Sequence, residues 1–126
     1  MSATQVYLII AALFGFCGVA MLAGGAHASG GSMTIAGQML LFHAPVLMAG
    51  ALARKLGLMH GRAAQVALVL MVLGVAVFSG DLALRAAQGV KLFAMAAPMG
   101  GIFTMAGWLV LAASVFLNRN SITKVL

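Results

Sequence analysis

Apolar residues run along this chain in four long blocks, and the polar residues between them are few and bunched. The first block extends from Val6 to about Ala26, and Ala28-Ser29-Gly30-Gly31-Ser32 after it reads as a turn by composition. The second runs from about Met33 to Ala53, closes on Arg54-Lys55, and is followed by a short polar loop from Gly57 to Arg62 that contains His60. The third runs from about Ala63 to Ala87, and Gln88-Gly89-Val90-Lys91 reads as a tight turn. The fourth runs from about Leu92 to Leu117, with a polar tail from Asn118 onward. A helix needs roughly 20 apolar residues to cross the hydrocarbon of a bilayer, and every block is long enough. The pattern predicts one all-α domain over residues 1–126, an integral membrane four-helix transmembrane bundle with short loops, its spans at about 6–26, 33–53, 63–87 and 92–117.

Composition agrees with this pattern. Hydrophobic residues make up 64% of the chain and charged residues 6%, where soluble domains carry about 25% charged. No Lys, Arg, Asp or Glu precedes Arg54. The net charge of +6 raises the question of a nucleic-acid partner, but the seven basic residues sit at block ends rather than along a stripe. They read as topology signals. Arg54, Lys55, Arg62, Arg119 and Lys124 fall on one side, and Arg85 and Lys91 on the other, which puts both termini in the cytoplasm. Ala26-His27-Ala28 resembles a signal-peptidase site, but the residues before the first block include no Lys or Arg, and the block is long for a signal. The single Cys17 allows no disulfide within the chain and reads as a small packing residue.

The polar groups inside the blocks are the expensive ones. Asp81 is the only acid, and Arg85 follows four residues later on the same helical face. A carboxylate in hydrocarbon is costly unless it is paired, interfacial or turned into the bundle. The pair therefore reads as a self-satisfied helix-end ion pair, as a proton or ion site, or as a contact with a partner subunit. His43 lies roughly 15 Å into its span at the helical rise, in the turn that Pro45 is expected to kink. A neutral imidazole at that depth serves either as a structural hydrogen-bonding group or in a proton relay or ligand site. His27, at a block end, reads as an interfacial cap. A shared site would need a bend in the second span to bring His43 toward Asp81. Ser79 and Asp81 differ by about 200° around a helix, so if Asp81 faces the bundle, Ser79 is expected to face lipid or a partner chain.

The remaining candidates concern packing. Gly15, Gly18, Gly80, Gly100 and Gly101 offer flat surface for close helix approach, and Trp108, well inside its span, reads as a packing residue. Pro98 falls in the first turns of the fourth span, where a helix tolerates it best. The ten methionines and three histidines show no paired ligand spacing at a common depth, so no metal or other cofactor is assigned. With one acid and no nucleophile beside a base on one face, no catalytic residue is assigned and no enzyme is expected.

Several fragments align with one family. They are Leu22-Ala23-Gly24-Gly25-Ala26-His27, Phe42-His43-Ala44, Val77-Phe78-Ser79-Gly80, Ala97-Pro98-Met99-Gly100-Gly101 and Ala106-Gly107-Trp108. In this order and spacing the chain resembles the small four-helix membrane proteins of the domain of unknown function 423 family. The resemblance implies a four-span inner-membrane protein and no particular activity. The chain departs from the family pattern where Asp81 replaces a small residue. Met39 and Leu40 stand where an aromatic-Gln pair is usual, and the segment between His27 and His43 is short.

The functional expectation is a multi-pass inner-membrane protein acting through contacts, as an accessory, assembly or structural component. Its partners would be the lipid bilayer and other membrane subunits or further copies of itself. The alternative is a small channel or carrier, for protons or a small solute, using an outer-half cluster of Asp81, Arg85 and His43.

Overall fold

The first helix starts earlier than its apolar block, because Ser2 and Gln5 form a capping box. The Ser2 hydroxyl accepts from the Gln5 amide at 3.2 Å, and the Ser2 amide donates to Gln5 Oε1 at 2.8 Å, so two end amides are satisfied reciprocally. The computed structural model describes residues 1–27 and 30–118; the Arg119 and Lys124 orientation signals, and part of the expected Ala28–Ser32 turn, lie outside the described residues. Among the described residues the chain forms α1 (Ala3–Gly25), α2 (Ser32–Lys55), α3 (Gly61–Gln88) and α4 (Ala96–Phe116). All four are long and apolar enough to cross a membrane. The chain is a multi-pass membrane protein with an all-α architecture. α2 continues through Pro45 as one helix.

The helices pack in chain order: α1 on α2, α2 on α3 and α3 on α4, with no comparable contact between α1 and α4. The bundle is therefore a row with α2 and α3 in the middle. Both outer interfaces are made backbone to backbone at glycines. At the α1–α2 crossing, a methyl group on Gly18 would meet the Gly37 carbonyl oxygen at 2.9 Å, and one on Gly37 would meet the Gly18 carbonyl oxygen at 2.8 Å. At the α3–α4 crossing, one on Gly74 would meet the Gly100 carbonyl oxygen at 2.7 Å, and one on Gly100 would meet the Phe78 amide nitrogen at 2.6 Å. Small residues at these crossings let the main chains approach as larger ones could not. Larger side chains fill the layer between α1, α2 and α3, where Tyr7, Ala11, Leu47, Ala51, Leu68 and Met71 form a buried cluster.

The structure changes two expectations. α4 begins at Ala96 rather than at Leu92, because the segment from Gly89 to Met95 runs past the end of α3 before the helix starts. Gly89 ends α3 in the left-handed conformation with φ of 70°, where glycine has no Cβ to clash. Ser79 does not face lipid: it is buried, and its hydroxyl donates to the Ala36 carbonyl of α2 at 3.0 Å. The angular argument holds, but α3 lies between two helices, so its opposite faces are both interior. Ser79 meets α2 while Asp81 meets the start of α4.

Candidate functional site

Asp81 sits two turns before the end of α3, and its carboxylate is fully buried. One oxygen, Oδ2, is held by the Arg85 side chain, with Nε at 2.9 Å and a second guanidinium nitrogen at 2.6 Å. The other, Oδ1, accepts the backbone amide of Leu92 at 2.7 Å. The carboxylate lies near the amide of Ala97, in the first turn of α4. The local sequence explains this arrangement. The cap position of α4 is Met95, whose side chain makes no capping hydrogen bond. A helix start normally takes an oxygen acceptor from its own cap residue. Here the neighbouring helix places a negative charge near the positive end of the α4 dipole. Arg85, about one third exposed, runs from this buried oxygen toward the end of α3. Asp81 thus ties the segment leading into α4 back to α3, with Arg85 as its counter-charge.

His43 forms a second, separate centre. Its Nδ1 lies 2.8 Å from the Met39 carbonyl oxygen one turn back on α2. Its Nε2 lies 3.2 Å from the indole nitrogen of Trp108 on α4, with the rings edge to face at a centroid distance of 5.9 Å. A carbonyl only accepts and an indole N–H only donates, so Nδ1 carries the proton and Nε2 presents its lone pair. The ring is neutral, with both nitrogens used. His43 pins α2 to α4 across the α3 row.

The structure brings Asp81 and Arg85 together and leaves His43 and His27 apart from them. The carboxylate lies near Ala97 and the imidazole bonds Trp108, positions about 16 Å apart along α4 at the helical rise. The Gly74–Gly100 crossing lies between them, where the main chains leave no room for one added methyl group. His27 is exposed beyond the end of α1 and makes no side-chain hydrogen bond among the described residues. The other buried hydroxyls are also served within the chain: Thr104 donates to the Gly100 carbonyl and Ser114 to that of Leu111. Among the described residues, no three of His, Cys, Asp or Glu converge.

Of the glycines expected to pack, Gly18 and Gly100 lie at the two crossings. Gly15 and Gly101 would bring a methyl group only into ordinary contact, and Gly80 faces open space. Gly37 and Gly74, their partners at the crossings, carried no sequence signal separating them from other glycines. The Trp108 partnership with His43 was also not legible, because it depends on the relative depth of two helices distant in sequence.

A family model described as a protein of unknown function (DUF423) matches residues 21–101, more than half of the chain. The matched stretch includes His27, His43, Asp81 and Arg85, and stops short of Trp108. No curated protein and no solved structure matches the chain.

Proposed function

The chain belongs to the DUF423 family of proteins of unknown function, and from that premise we propose that it is a non-enzymatic component of an inner membrane, acting through helix contacts as an accessory, assembly or structural subunit. The observation that carries this reading is that its two buried ionisable centres, Asp81 and His43, are each fully engaged. The Asp81 carboxylate is used by Arg85 and the main chain ahead of α4, and the His43 ring by Met39 and Trp108. Groups engaged in this way hold helices together and offer a substrate or a travelling proton no vacant partner. Large apolar side chains on the outer helices remain for lipid or neighbouring subunits, among them Phe16, Leu109 and Phe116, each about three quarters exposed. The basic residues at the α2–α3 loop and in the tail favour cytoplasmic termini.

Extraction in mild detergent tests the proposal. The expected outcome is a stoichiometric partner, or self-association, in size-exclusion chromatography coupled to mass measurement. A lone monodisperse monomer would overturn it. So would proton flux in proteoliposomes that is lost in Asp81→Asn or His43→Ala, since that would make the two centres parts of a conducting path.

A further inference from the structure

We propose that the groove between α1 and α3 seats one anionic phospholipid, with its phosphate at the Arg54–Arg62 end of the molecule and an acyl chain along the groove. This requires only that the chain lies in a bilayer and is independent of the accessory role above. The groove has a volume of about 340 Å³ and lies at the end of the bundle opposite Asp81. Its deeper wall is aliphatic, formed by Ile10, Val69, Val72 and Leu73. Two polar side chains interrupt that wall, Tyr7 of α1 and Gln65 of α3. Each lies one turn in from its helix start, about 6 Å at the helical rise, so the two are level.

Gln65 makes no side-chain hydrogen bond among the described residues, and its Oε1 is buried without a partner. Buried amide oxygens are rarely left this way, because the lost hydration is not recovered. Above this level sit Arg54 and Arg62. Arg54 donates through Nε to the Gly61 carbonyl at 2.9 Å, which directs its guanidinium over the start of α3. Arg62 is exposed in the first turn of α3. The chain's single side-chain carboxylate is committed at the far end, so neither arginine has an acidic side chain to pair with. The starts of α1 and α3 add two positive dipole ends at the same place.

From this end inward the groove presents cations, then hydrogen-bonding side chains, then aliphatic surface. A phospholipid presents phosphate, then glycerol and ester oxygens, then an acyl chain. The orders match, and basic pockets between membrane helices are a recognised way to hold anionic headgroups.

Native mass spectrometry of the full chain, released from detergent with phosphatidylglycerol or with phosphatidylcholine of the same acyl chains, tests this. One phosphatidylglycerol per chain is expected to be retained in preference to phosphatidylcholine. Arg54→Gln and Arg62→Gln should each lower that retention about fivefold. Arg62 is exposed, so its variant keeps the result readable if Arg54→Gln disturbs the loop. Val69→Trp, which fills the groove, should reduce retention of both lipids. Gln65→Leu should weaken phosphatidylglycerol retention while raising the melting temperature of the lipid-free protein, because it removes an orphaned amide. Equal retention of the two lipids, unchanged by either arginine variant, would overturn the proposal. So would disulfide crosslinking of Val69→Cys between two copies in lipid, which would make the groove a protein interface.

Discussion

The indole N–H of Trp108 can only donate, and that one restriction fixes the state of the histidine opposite it. With the Met39 carbonyl on the other nitrogen, His43 is held in one neutral tautomer and links two helices that barely touch otherwise. A double-mutant cycle between Trp108→Phe and His43→Leu, measured by unfolding in detergent, is expected to give a coupling of about 0.6 kcal/mol, the usual size for a hydrogen bond between membrane helices. A value near zero would mean that the rings are merely adjacent. Asp81 is tested by grading its replacements. Asp81→Asn keeps an oxygen for the Leu92 amide and loses the charge that Arg85 answers; Asp81→Leu loses both. Melting temperature should fall in the order wild type, Asn, Leu, with amide exchange at Leu92 rising in the same order. The sequence identified Asp81 and Arg85 as a pair because their spacing is local. It could not show the amide of Leu92, since a backbone donor leaves no trace in residue identity.

Single helices are told apart here by where they lack a side chain. Gly100 and Gly80 look alike in the sequence, yet Gly100 rests against the backbone of α3 and Gly80 faces open space. Gly100→Ala should therefore cost about 2 kcal/mol, as overpacking forces the backbones apart. Gly80→Ala should gain about 0.5 kcal/mol by reducing the chain entropy lost on folding. Equilibrium unfolding of the two variants side by side checks the sign as well as the size. The apolar blocks predicted the helices well, because bilayer thickness imposes a length that the sequence must meet. Their ends were less legible. Ser2 and Gln5 count as polar positions before a span, although together they start it. Leu92 to Met95 count as apolar positions within one, although they form the approach to it.

At the scale of the molecule, the arrangement is a row whose inner pair, α2 and α3, carries polar links to each other and toward α4, while α1 is held by packing alone. Ser79 faces α2, Asp81 faces α4, and His43 reaches past α3 to Trp108. Four crossings could be read from hydropathy alone. Their order across the row could not, because lipid and a neighbouring helix are both apolar and the blocks do not record which one they meet. For that reason Ser79 was expected outside: a helix with two interior faces has the same composition as one with a single interior face. The open row also creates the α1–α3 groove, since no fourth helix closes over that side.

The bond between Asp81 and the segment leading into α4 has a consequence for how the protein is made. During synthesis α3 emerges from the ribosome before the segment carrying the Leu92 amide that will engage Asp81. Until it arrives, the acid has only Arg85 for company, and α4, once begun, has no side-chain cap of its own. Neither helix is complete as a separate passenger. The two helices are therefore expected to enter lipid together as a hairpin, with the acid and the Leu92 segment settling in one step.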